Sequence, residues 1–185
     1  MDVEAVLAGV PEGYCVKGMF LARYAVGLGA DWPAVATRLV APPPGGRYHA
    51  FQDYPMQDHV RLFDTAARLR FPGSAREAYR LLSRGDVEVF ATSTFGKVAF
   101  AMLRDPAAAL VRFPELFHAV TKGPVARAQR MGERHVQVAL ERTIGTPEQV
   151  IGLLEALVLT FDETPSVEVE IQGEDGRRFS LDVRW

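Results

Sequence analysis

The segment VEVEIQGEDGRRFSLDVRW, residues 167–185, alternates apolar and polar side chains on both sides of a single turn. Val167, Val169 and Ile171 point one way, and Glu168, Glu170 and Gln172 the other. Beyond the turn, Phe179, Leu181, Val183 and Trp185 alternate with Ser180, Asp182 and Arg184. A period of two belongs to a strand with one buried face, so the segment predicts an antiparallel hairpin. A loop of Glu174, Asp175 and Gly176 pairs Ile171 with Phe179 and Val169 with Leu181, and leaves Gly176 free to take positive φ. That register sets Glu168 opposite Asp182, a repulsive pair that Arg184 can offset from the diagonal.

Working back along the chain, Thr146 and Gln149 have capping-box spacing, with Pro147 at the first helical position. Val150, Ile151, Leu153, Leu154, Leu157, Val158 and Phe161 wrap most of the helix that follows, over 147–161. So broad an apolar face predicts burial on more than one side, by the sheet and by other helices or a second subunit. Before it, Val136, Val138 and Leu140 alternate with His135, Gln137 and Glu141. The expected partner strand is Val125 to Arg130, joined through Met131-Gly132-Glu133, with Ala128 opposite Val136 and Ala126 opposite Val138.

The first half has helical periods. Val16, Met19, Phe20 and Tyr24 make one stripe that GLG (27–29) ends, and a short helix starts near Asp31 with Pro33 in its first turn. APPPGG (41–46) is a rigid loop. Met56, Val60, Phe63 and Ala67 form a second stripe that FPG (71–73) stops. Ser74 and Glu77 have capping-box spacing, and Ala78, Leu82, Gly85 and Val89 continue on one face. Val98, Ala99, Met102 and Leu103 mark a further helix. Asp105-Pro106 caps the next, which Pro114 is expected to break or kink. The fold class is therefore α+β. A helical half (1–121) packs on a four-stranded antiparallel sheet in a ββαββ half (122–185), within a single domain spanning 1–185.

These 185 residues are long enough for a real core, and 48% hydrophobic with 24% charged residues is ordinary globular usage. A net charge of −2, from 21 basic and 23 acidic side chains, gives no broad footprint for nucleic acid or anionic lipid. Cys15 stands alone, so no internal disulfide forms, and it reads as a small buried hydrophobe. With an acidic rather than basic start, and no run of apolar residues long enough to span a bilayer, a cytoplasmic location is expected.

VKGMF (16–20), DYPMQDHVRLFDTAARLRFPG (53–73), YRLLSRGDVEVFATSTFGKVAFAML (79–103), RFPELF (112–117) and RRFSLDVRW (177–185) resemble a family of unknown function found largely in myxobacteria. None of these segments is a catalytic signature. The order of elements also resembles the group that holds haem nitric oxide/oxygen-binding domains, four-vinyl-reductase-type ligand-binding domains and Bet3-type transport subunits. That resemblance implies a gas sensor, a ligand sensor or a dimerising scaffold, by analogy of topology.

In the haem sensors a histidine on a helix before the first hairpin binds the iron, and His118 stands at about the corresponding place. At about 100° per residue, Phe113, Leu116, Phe117 and Val120 share a face from which His118 projects away. Haem ligation requires it to face inward. The sensors' Tyr-x-Ser-x-Arg strand motif corresponds here to HVQVALER (135–142), which has neither Tyr nor Ser. His118 is accordingly read as an exposed or hydrogen-bonded histidine.

Other candidate groups have structural readings too. His49, His59 and His135 share no metal-ligand spacing, so no metal site is expected. Asp53 and Asp58 could pair as acids, but carboxylates at a helix start serve cap and dipole. STFGK (93–97) could catch an anion through free amides and Lys97, or simply begin a helix. Arg127, Arg130, Arg134 and Arg142 could receive an acidic partner, or form a solvated sheet face. Tyr79, Phe90, Phe95 and Phe100 could line a ligand cavity, or pack in the core. The expectation is a non-catalytic module, acting as a homodimer without cofactor or metal, that binds a small apolar ligand or a partner protein. A haem sensor using His118, or an enzyme acting through Asp53, Asp58 or Cys15, is the alternative.

Overall fold

The computed structural model describes residues 3–173 and 176–185. In chain order the elements begin with α1 (Val3–Ala8), β1 (Cys15–Lys17), α2 (Gly18–Leu28), α3 (Trp32–Ala36), β2 (Asp53–Pro55) and α4 (Met56–Arg70). Then follow α5 (Ala75–Thr92), α6 (Thr94–Ala101), α7 (Pro106–Val120), β3 (Thr121–Lys122), β4 (Val125–Gly132) and β5 (His135–Glu141). The chain closes with α8 (Pro147–Leu159), β6 (Ser166–Gln172) and β7 (Arg178–Arg184). This is the α+β arrangement expected: helices in the N-terminal half, and an antiparallel sheet ordered β4-β5-β7-β6 in the C-terminal half.

The closing hairpin has the predicted register, with Ile171 opposite Phe179, Val169 opposite Leu181 and Glu168 opposite Asp182. Arg184 Nη1 donates to Glu168 Oε2 at 3.1 Å, which offsets the facing carboxylates. Gly176 has φ 65°, while Glu174 and Asp175 of the expected loop lie outside the described residues. Phe179, Leu181 and Val183 are wholly buried.

The first hairpin corrects the expected register by two residues. Ala126 faces Leu140 and Ala128 faces Val138, because β4 continues to Gly132, which pairs with His135. Met131 is the extra residue of a bulge, and its side chain is 50% exposed. A slip of two leaves every side chain on its own face, so alternation cannot distinguish the two registers.

Three helical expectations also change. Val16 is not helical: it lies in β1, at the centre of a second sheet ordered β2-β1-β3, and α2 starts at Gly18. Strands of two or three residues are too short to show a period. Helix α7 runs unbroken through Pro114. A proline inside a helix costs about 3 kcal/mol. Burying Leu110, Phe113 and Leu116 on the inward face outweighs that, at about 1.5–3 kcal/mol each. Finally, neither Ser74 nor Thr146 makes its side-chain cap, whereas Asp105 accepts from the Ala108 amide at 2.7 Å. The residue pattern supplies the groups, and the rotamer decides whether the oxygen reaches the amide.

Two apolar cores result. One gathers Leu21, Tyr24, Leu62, Phe63 and Tyr79 between α2, α4 and α5. The other gathers Val136, Val138, Leu154, Val158 and Leu181 between the sheet and α7 and α8. Helix α8 is buried on two sides within one chain, by the sheet and by α5. At Gly152 an added Cβ would stand 2.2 Å from the Arg80 carbonyl oxygen.

Candidate functional site

The two cores do not close fully on each other, and a cavity of about 120 Å³ lies at their seam. Its walls are Val16, Phe20, Met56, Phe90 and Leu116 from the first core. From the second come Val87, Phe113, Leu140, Val150, Leu157 and Phe179. Phe117, Thr121, Ile144, Gln149 and Leu153 also line it and are only half-buried, so the rim runs along the end of α7 and the start of α8. Of the four aromatics read as either cavity wall or core, Phe90 and Phe100 line the cavity. Phe95 is 46% exposed and meets Phe90 edge-on, and the Tyr79 hydroxyl donates to Asp64 inside the first core.

Two ionisable side chains interrupt the apolar wall, His59 on α4 and Asp86 on α5. Sequence reasoning considered His59 only as a metal ligand and passed over Asp86. The available signal was phase: His59 falls three after Met56 and four before Phe63, and Asp86 four after Leu82 and four before Phe90, all core positions.

Asp86 accepts from Tyr24 Oη and from Arg23 Nη1, each at 2.5 Å, and Arg23 Nη1 also donates to the Leu82 carbonyl at 2.9 Å. Burial pushes the Asp86 carboxyl up to about 6, against the downward pull of Arg23 and Tyr24. His59 stacks on Phe63, with ring centroids 5.8 Å apart, and lies 5.6 Å from the Tyr24 ring. Burial lowers its imidazole to about 4, so it is neutral at pH 7.

These shifts act oppositely on stability. His59 titrates near 6.5 when unfolded and near 4 when folded, so its contribution of about 3 kcal/mol is present above pH 6.5 and lost as pH falls through 4. Asp86 is raised from 3.8 to about 6, so its contribution is full below 3.8 and lost as pH rises through 6. Between pH 6 and 4 the two largely cancel. Asp86→Asn is therefore expected to steepen the loss of stability over that interval, measured by urea unfolding at each pH. A variant with the wild-type slope would contradict it.

The other candidates are scattered and engaged. Asp53 pairs with Lys17 Nζ at 2.6 Å and with Lys122, and these hold its carboxyl below the usual range. Asp58 is fully buried, and accepts from the Val40 and Ala41 amides at 2.6 and 2.9 Å. It thus fastens the proline-rich loop rather than pairing with Asp53. Burial is the main cause raising the Cys15 thiol, the opposite of activation. His49 and Asp53 line a separate depression beside that loop. His135 Nε2 lies 2.6 Å from Asp182 Oδ1.

In the 93–97 segment, the Gly96 amide donates to Ser93 Oγ and the Lys97 amide to the Ser93 carbonyl, so neither is free for an anion. Arg127 pairs with Glu141, Arg134 pairs with Glu163, and Arg130 donates to the Gly132 carbonyl. Arg142 takes φ 58° after β5. Among the described residues no three His, Cys, Asp or Glu side chains gather as a metal site, and no helix is long and apolar enough to cross a membrane.

His118 is exposed, stands outside the cavity wall, and its Nε2 accepts the Ala126 amide at 3.1 Å. Water can replace that acceptor. His118→Ala is expected to change stability by no more than about 1 kcal/mol in urea unfolding, and a larger loss would show that the bond is sealed.

The model of the family described as "Protein of unknown function (DUF2378)" matches residues 10–185. The chain belongs to that family. No curated protein matches this DUF2378 chain. Solved structures that share its fold are H-NOX proteins. An Fe(II) unliganded H-NOX protein from K. algicida superposes with a TM-score of 0.68 at 13% identity, covering 91% of this chain and 95% of its own. An H-NOX protein from S. oneidensis in the Fe(II)NO state gives 0.66 at 11%, covering 91% and 98%. A single-site mutant of the T. tengcongensis H-NOX gives 0.66 at 17%, covering 91% and 96%. At such identities the likeness is one of fold, and it agrees with the topology read from the order of elements.

Proposed function

We propose that this chain is a non-catalytic sensory module whose signal is a small apolar molecule held between the two cores. The cavity carries the reading. It approaches the size of an engineered cavity of about 150 Å³ that binds benzene, and its walls are mainly aliphatic and aromatic. The polar groups at other candidate positions are engaged with one another, which favours binding over chemistry. A cytoplasmic homodimer acting through a partner protein, with the whole chain as one folding unit, completes the proposal.

Titration with benzene, followed by thermal unfolding, tests it. At a hundred times its Kd a ligand adds about 2.7 kcal/mol of stability, so Tm should rise with concentration and saturate. Val150→Phe, which fills the space, should abolish the rise while the protein still folds. A wild-type protein indifferent to benzene would refute the cavity reading. Native mass spectrometry of the purified protein separates the related possibilities: a retained small molecule supports the sensor, and an empty dimer a scaffold.

Fold likeness to H-NOX proteins raises haem as a second reading, and the residues do not fit it. His118 turns its ring to the Ala126 amide outside the cavity. The space of about 120 Å³ is also of the order that takes a single benzene ring, and a tetrapyrrole is several times larger. Haem reconstitution is expected to give no Soret band. A band that His118→Ala removes would reverse this conclusion.

A further inference from the structure

We propose that the ligand of this cavity is a neutral ring compound bearing a hydroxyl group, of the phenol class, and that His59 is the side chain that binds the hydroxyl. The proposal rests on the cavity reading and names its ligand chemistry.

His59 is 7% exposed and lines the cavity, and among the described residues no hydrogen bond reaches its ring. The described side-chain atoms that are both sealed and without a partner are Tyr48 Oη, Arg61 Nε, Ser83 Oγ and Thr146 Oγ1. The His59 nitrogens are outside that set. The ring is therefore not sealed off, and the residue lines the cavity.

An apolar ligand that drives water from the ring would leave a nitrogen buried without a partner, at a cost of about 1–3 kcal/mol. A ligand that hydrogen-bonds the ring avoids that cost. An anion would meet the Asp86 carboxylate on the same wall and a neutral imidazole, with no free positive charge facing it. A cation would find Asp86 already holding Arg23 and Tyr24. A neutral hydroxyl can donate to one ring nitrogen or accept from the other, and a six-membered ring suits the remaining volume.

Toluene matches phenol in shape and lacks the hydroxyl, so the pair isolates the polar contact. Calorimetric titration of the wild type and of His59→Leu with both compounds is the experiment. The affinity ratio of phenol to toluene should fall at least tenfold in His59→Leu, with toluene still bound. In wild-type protein labelled with 15N-histidine, the His59 ring nitrogen signals should move with phenol and stay with toluene, a readout that needs no variant. If neither compound binds the wild type, the cavity reading itself fails. If both bind but the ratio is unchanged, or the ring signals do not respond to phenol, the cavity stands and the assignment to His59 is overturned.

Discussion

Exchanging Arg80 and Arg84 together for methionine is expected to cost about 3–5 kcal/mol of stability. Glu155 is 1% exposed on α8, where α8 lies beneath α5. Its Oε2 accepts from Arg80 Nε at 2.6 Å and from Arg84 Nε and Nη2 at 3.0 and 2.8 Å. The arginine side chains keep 43% and 37% exposure, so water reaches them while it does not reach the carboxylate. Removing the arginines strands a buried negative charge. Removing the carboxylate lets two long cations turn outward, so Glu155→Met is expected to cost far less, under about 1.5 kcal/mol. Urea unfolding of both variants measures the asymmetry, and equal losses would show that Glu155 is not the sealed partner.

Gly152→Ala is expected to destabilise by about 1–3 kcal/mol. This is despite alanine's advantage of about 1 kcal/mol as a helix former. The added Cβ would stand 2.2 Å from the Arg80 carbonyl oxygen and 3.0 Å from Ser83 Cβ. The first of these is backbone, so relief requires α5 and α8 to separate. Those helices carry Val87 and Phe90 on one cavity wall and Val150 and Leu157 on another, so separation should also weaken benzene binding. A stabilised Gly152→Ala, seen as a higher urea midpoint, would mean that the helices are not in backbone contact there. Glu155 and Gly152 both meet Arg80, so their effects should not add.

How far the sequence could be read follows from the range over which each signal acts. Alternation at 167–171 and 179–185 gave strands, register and the Glu168–Asp182 clash, because one short loop links the two. The same argument failed by two residues at 125–141, where a bulge at Met131 preserves the faces. Asp105 was recognisable as a cap from its neighbours alone. Capping boxes at Ser74 and Thr146 were not formed, since a rotamer is set by surrounding packing. Phe90 and Phe100, read as either cavity wall or core, line the cavity, whereas Phe95 is half-exposed. His59 was weighed only as a metal ligand and Asp86 not at all, although their phase put both inside.

By itself the sequence determined what depends on neighbours along the chain. It set which segments are helix and strand in the four-stranded half, which faces are apolar, and hence the α+β class. Tertiary structure alone decided the β2-β1-β3 sheet, the survival of α7 through Pro114, the burial of Glu155 under two arginines, and the cavity with His59 on its wall. Periodicity reports the direction of a side chain and carries no information about what it meets. A cavity is the volume left where elements distant in sequence fail to interdigitate, so it exists only once they have packed.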